Sequence, residues 1–163
     1  MKEKITKIKE EISKNLEWII RTSPPTRSGG LEKEIARVRG VKENCILTGG
    51  GSSDLIFLSF RQPLNSSSKV LVLDPTYGEY LTVLDNIIKC KVERFLLNRS
   101  EGYKVNLELL KDKLSEGFDL FVWVNPNSPT GLHVQKDEVE KILKEADNCK
   151  RIWIDETLSL IHI

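Results

Sequence analysis

Leu120-Phe121-Val122-Trp123-Val124, followed at once by Asn125-Pro126-Asn127-Ser128-Pro129-Thr130-Gly131, is the stretch on which the fold turns. Five apolar residues in a row read as a strand. Two prolines and a glycine then fix a turn, with Asn127 and Ser128 expected to present polar groups outward. Upstream, residues 69–73 read as a buried strand, Val-Leu-Val between charged ends, with a helix over 80–88, a strand over 92–97 and a helix over 107–114. Downstream, Val139, Ile142 and Leu143 share one face of a helix over 136–146, and an apolar strand over 151–154 closes at Asp155. Further back, a short apolar strand over 45–48 leads through Gly49-Gly50-Gly51 into a helix over 52–60. Strand and helix alternate, which predicts an α/β fold: a mostly parallel sheet flanked by helices on both faces.

The N-terminal part has a different period. Ile5, Ile8, Ile12, Leu16 and Ile19 recur at spacings of three and four, so residues 2–20 predict one amphipathic helix, broken by Ser23-Pro24-Pro25-Thr26. A second short helix over 31–38 is stopped by Gly40. Three pieces are expected: an N-terminal helix over 1–22, a domain over 23–157 and a tail over 158–163. Asn65-Ser66-Ser67-Ser68 is a loop.

Composition narrows the function. Lys plus Arg number 25 and Asp plus Glu 24, which gives no electrostatic case for nucleic acid or an anionic membrane as partner. The apolar runs are too short to span a bilayer, and the Lys/Glu-rich start is no secretory signal, so a cytoplasmic setting is expected. Cys45, Cys90 and Cys149 form no CxxC pair and only two histidines are present. No metal site is expected, and the cysteines read as small buried apolar residues.

The unusual residues collect at predicted strand ends, where ligands bind in such sheets. Gly-Gly-Gly-Ser-Ser at 49–53 follows the first strand, Asp-Pro-Thr-Tyr at 74–77 the second, the Asn-Pro turn the fourth, and Asp155-Glu156 the last. Glycines admit a ligand close to the backbone, and the helix that follows offers unpaired N–H groups, with Ser52 and Ser53 adding hydroxyls. That suits a phosphate, although a glycine turn before a serine-capped helix is also a common structural device, and no Walker lysine follows it. Tyr77 could lay its ring on a flat aromatic ligand, although taken alone it reads more simply as a half-buried loop tyrosine. Asp155 is a carboxylate at a buried edge that needs a cationic or hydrogen-bonding partner.

Taken in order, Gly-Gly-Gly-Ser-Ser-Asp, Asp-Pro-Thr-Tyr-Gly-Glu-Tyr, Asn-Pro-Asn-Ser-Pro-Thr-Gly and Ile-Asp-Glu resemble the fold-type I aminotransferases of class I/II. The resemblance runs over residues 23–157 and is nearest to the histidinol-phosphate aminotransferase and threonine-phosphate decarboxylase group. It implies the large domain of that fold, incomplete here, and pyridoxal 5′-phosphate as cofactor. It also implies amino-acid and 2-oxo-acid substrates and a homodimer when full length. By the same resemblance, Ser52 and Ser53 with the Gly51 turn would hold the phosphate, and Tyr77 would stack on the pyridine ring. Asp155 would pair with the ring nitrogen. The residue before Pro129 would meet the ring hydroxyl; the family usually has asparagine there, and here Ser128 stands in that place with Asn127 one earlier, so either is a candidate.

The chain departs from the family pattern at Ser23 and Leu158, where tyrosines are common. The cofactor-anchoring lysine expected after the Asp-Glu strand is absent, so no catalytic residue is assigned. Ser66-Ser67-Ser68-Lys69 lies too early in the chain to supply it, and Lys69 reads as a strand-edge lysine. Leu158-Ser159-Leu160-Ile161-His162-Ile163 matches a translated transposon-end adapter and is expected to be non-native. Three functions stand against one another: amino transfer, decarboxylation of a phosphorylated amino acid on the same cofactor, and a non-catalytic phosphate-binding module.

Overall fold

The computed structural model describes residues 2–23 and 28–159. The break expected at Pro24-Pro25-Thr26 and the tail beyond Ser159 lie outside them. The chain divides into two compact units, residues 1–48 and 49–163.

In the first unit the helix expected over 2–20 is two helices, α1 (Lys2–Lys14) and α2 (Leu16–Arg21). Asn15 separates them. Its side-chain amide donates to Glu11 O at 2.9 Å, the kind of local side-chain-to-backbone bond that competes with helix continuation. Helix α3 (Gly29–Arg39) ends at Gly40, whose φ of +67° and N–H to Ala36 O form a left-handed cap. The strand expected over 45–48 does not form. Glu43–Cys45 is a single 3₁₀ turn, and although Ile46 is extended, no strand pairs with it among the described residues. Extended backbone becomes a strand only when a neighbour takes its N–H and C=O groups.

The second unit holds β1 (Lys69–Asp74), β2 (Lys91–Leu96), β3 (Leu120–Val124) and β4 (Ile152–Asp155) in one parallel sheet ordered β2-β1-β3-β4. Around it lie α4 (Ser52–Arg61), α5 (Gly78–Leu81) running on into a π-helical stretch Thr82–Ile88, α6 (Leu107–Ser115) and α7 (Lys136–Glu145). Side chains alternate across each strand, so the sheet has two apolar faces. Val70, Val72, Val122 and Val124 pack with Ile56 and Phe60 of α4 and with Tyr80, Val83 and Leu84. Leu71, Leu73, Phe121 and Trp123 pack with Leu110 and Leu114 of α6 and with Val139 and Ile142 of α7. Each fully buried aliphatic side chain contributes about 1.5–3 kcal/mol relative to exposure. Asn106 Oδ1 caps α6 by accepting from the Leu109 amide at 3.1 Å, and Gln135 with Glu138 forms a capping box on α7.

This winding has a switch point. The connection from β1 to β2 runs through α5 on one face, and that from β2 to β3 returns through α6 on the other, placing β3 on the opposite side of β1. The connections leaving the carboxyl ends of β1 and β3 therefore run to opposite faces, the arrangement that leaves a crevice between them. Lys69 sits at the opposite, amino end, where Nζ pairs with Glu93 at 3.1 Å and lies 4.3 Å from the Phe118 ring centre.

The cysteines are not the buried residues expected: Cys45 is exposed, and Cys90 and Cys149 are half-buried. Partial burial pushes both of the latter thiols up. No described helix is long and apolar enough to cross a membrane.

Candidate functional site

The Asn-Pro turn after β3 is stitched from within. Asn125 Nδ2 donates to Val134 O at 2.9 Å and Asn125 Oδ1 accepts from the Val134 amide at 2.8 Å, closing the loop at its base. Asn127 is 3% exposed and turns inward, not outward as its neighbours suggested. Its Nδ2 donates to Pro75 O at 2.9 Å and to Thr130 Oγ1 at 3.0 Å, so it ties the β3 turn to the end of β1 across the switch point. Asn127 Oδ1 and Thr76 Oγ1 are buried without a hydrogen-bond partner among the described residues. Ser128, by contrast, lies on the cleft.

The glycine turn enters α4 with little room. A Cβ on Gly49 would stand 2.7 Å from Leu55 Cδ2, and Gly51 has φ +122° and ψ 174°, a conformation reserved for glycine. Asp54 folds back so that Oδ2 accepts from the Gly50 amide at 2.8 Å. The first amides of α4 have no intrahelical acceptor, as at any helix start. Ser52 lines the cleft, whereas the Ser53 hydroxyl is committed to Glu79 Oε2 at 2.6 Å. Gly51 borders an adjoining depression that shares Ser52 and Asp155.

Asp155, at the end of β4, accepts from Tyr80 Oη at 2.7 Å through Oδ2 and from the Thr157 amide at 2.9 Å through Oδ1. Trp153 Nε1 in turn donates to Tyr80 Oη at 2.9 Å. Burial first, and the Asp155 carboxylate second, push the Tyr80 phenol far up. Tyr77 is 40% exposed, and its phenol is raised chiefly by the neighbouring Glu79 carboxylate. The rings of Tyr77 and Tyr80 meet edge to face at 6.1 Å.

Ser52, Tyr77, Val124, Ser128, Asp155, Thr157 and Leu158 line one open cleft of about 200 Å³. Of the residues expected at the site, Ser52, Tyr77, Ser128 and Asp155 come together there; Gly51 lies beside it, and the side chains of Ser53 and Asn127 are engaged elsewhere. Tyr80 was missed by sequence reading. Its position three residues after Tyr77 in Tyr-Gly-Glu-Tyr was the available signal, but only the packing shows that it reaches Asp155.

The arrangement suits an elongated flat molecule. Its anionic end would find the start of α4, its ring face would meet Tyr77, and a cationic or N–H end would meet Asp155. Among the described residues no group of three or more His, Cys, Asp or Glu could hold a metal ion.

The family model described as "Aminotransferase class I and II" matches residues 2–157. A histidinol-phosphate aminotransferase from Staphylococcus carnosus is 29% identical over 92% of the chain and 41% of its own length. An L-serine phosphate decarboxylase from Sulfurospirillum multivorans is 28% identical over 94% and 38%. Among solved structures, a decarboxylase from Sulfurospirillum multivorans superposes with a TM-score of 0.77 at 28% identity, covering 91% of this chain and 37% of that one. The chain thus spans about 40% of the length of the curated relatives it matches.

Proposed function

The chain belongs to the class I and II aminotransferase family, and on that premise we propose that the whole protein is a pyridoxal-phosphate-dependent aminotransferase. It moves an amino group between an amino acid and a 2-oxo acid, and it works as a homodimer in the cytoplasm. One observation carries the reading: Ser52, Tyr77, Ser128 and Asp155, from four separate stretches of chain, share one cleft at the carboxyl end of the sheet.

The donor set fits the cofactor. The Ser52 hydroxyl and the free amides opening α4 would hold the phosphate, with Gly51 keeping the turn in the conformation that aims them. Tyr77 would cover one face of the ring, and Ser128 would meet the ring hydroxyl. Asn127 supports that contact indirectly by anchoring the turn to Pro75 O. Asp155 accepts one protein hydrogen bond on each oxygen and, as a carboxylate, retains lone pairs for a protonated ring nitrogen. When bound, the cofactor supplies an electron sink for the charge that develops at the substrate α-carbon. The part played by this chain would be to orient the ring, hydrogen-bond its phosphate and set a carboxylate opposite its nitrogen.

A second reading shares the same residues: decarboxylation of a phosphorylated amino acid, favoured by the similarity to the L-serine phosphate decarboxylase. The test is to load the whole protein with pyridoxal 5′-phosphate, remove excess by gel filtration and assay amino acids with a 2-oxo acid. Retained cofactor and formation of a new 2-oxo acid are expected. Release of CO₂ from a phosphorylated amino acid without oxo-acid formation would select the second reading. Failure to retain cofactor would overturn both.

A further inference from the structure

We propose that Tyr80 is a positioning residue for Asp155: its buried hydroxyl, held by the Trp153 indole, fixes the carboxylate that meets the cofactor's ring nitrogen. The inference rests on the cofactor reading given above. An indole N–H can only donate, so the 2.9 Å bond from Trp153 Nε1 makes Tyr80 Oη an acceptor. The single Tyr80 proton is then left for Asp155 Oδ2 at 2.7 Å. The direction Trp153 to Tyr80 to Asp155 is thereby set without ambiguity.

The relay is also clamped. Tyr80 is fully buried, stacked against Phe60 at 5.8 Å, while Phe60 meets Trp153 edge-on at 5.2 Å. None of these rings can rotate without disturbing the face of the sheet they cover. Buried and facing a carboxylate, the Tyr80 phenol stays protonated throughout the physiological range, so it remains a donor. A hydrogen bond donated to one carboxylate oxygen fixes the orientation of the other oxygen of that carboxyl, which is what a directed contact to a ring nitrogen requires. The Thr157 amide fixes the second oxygen, so both carboxylate oxygens are oriented by protein donors.

The experiment compares affinities of the whole protein for pyridoxal 5′-phosphate and for its analogue with carbon in place of the ring nitrogen. Wild type is expected to prefer the natural cofactor. Tyr80→Phe should lose about tenfold of that preference, by weakening the natural cofactor and not the analogue. An equal loss for both ligands would reveal a merely structural tyrosine and overturn the proposal, as would an unchanged preference. If Tyr80→Phe does not fold, Trp153→Phe decides. It keeps the tyrosine but removes the donor that orients it, and it should reduce the preference with unchanged affinity for the analogue; an undiminished preference overturns the proposal. Wild type that binds both ligands equally, or neither, sinks the cofactor reading itself and this inference with it.

Discussion

Asp155 sits where three kinds of constraint meet: the end of a strand, a tyrosine hydroxyl on one oxygen and a backbone amide on the other. Replacing it with asparagine leaves an oxygen for Tyr80 but removes the charge opposite the ring nitrogen. In the whole protein Asp155→Asn is therefore expected to lower turnover by about a hundredfold or more, with an unchanged circular-dichroism spectrum. Near-normal turnover would mean that the wrong aspartate has been singled out. At this scale the sequence was legible where a motif constrains a single residue, as at Tyr77 and Asp155. It was not legible at Asn127 and Ser128. Neighbouring side chains on a turn diverge, and nothing in two adjacent polar letters says which one turns inward to Pro75 O. Tyr80 was hidden for the same reason, since its partner lies 75 positions away.

Elements were easier to read, because periodicity is a local property. Both layers of helices followed from the apolar spacing, and the two faces of β1 and β3 are filled as that spacing requires. Leu110, fully buried between α6 and the sheet, tests this packing: Leu110→Ala is expected to cost about 2–5 kcal/mol in urea unfolding. The misread strand over 45–48 failed because pairing is non-local: a short, largely apolar run cannot show whether a partner exists. At the amino end of the sheet, Asp119 joins Lys150 at 2.7 Å and accepts from the Lys69 amide at 2.8 Å. The Lys150 ammonium, followed by that amide, holds its carboxyl below the usual value. A folded value below the unfolded one means stability that is present above the unfolded value, near 4, and lost as pH falls through the folded one. Urea midpoints measured from about pH 5 down to about pH 3 should fall, and Asp119→Asn should flatten that slope. An unchanged slope in the variant would remove Asp119 from the account.

At the scale of the whole molecule, motif order was the most informative signal. Four short motifs lie far apart in the chain, and parallel winding delivers their residues to one end of the sheet. Sequence could give their order but not the order of the strands, which depends on which way each crossover turns. That strand order leaves β2 and β4 on the outside, and the two differ. β2 carries Lys91, Glu93 and Arg94, charges of the kind that discourage further pairing. β4 reads Ile-Trp-Ile-Asp and carries none before its last residue. The Phe121 and Asn125 amides donate to the carbonyls of Arg151 and Asp155, so the odd-numbered residues of β4 face β3. The backbone groups of Ile152 and Ile154 consequently point the other way, toward no strand among the described residues. In the 163-residue chain those two amides should exchange with deuterium faster than that of Trp153, and equal protection would show that flank already covered. An apolar border with donors and acceptors still to spare is where this sheet can grow, by recruiting another length of polypeptide alongside Ile152 and Ile154.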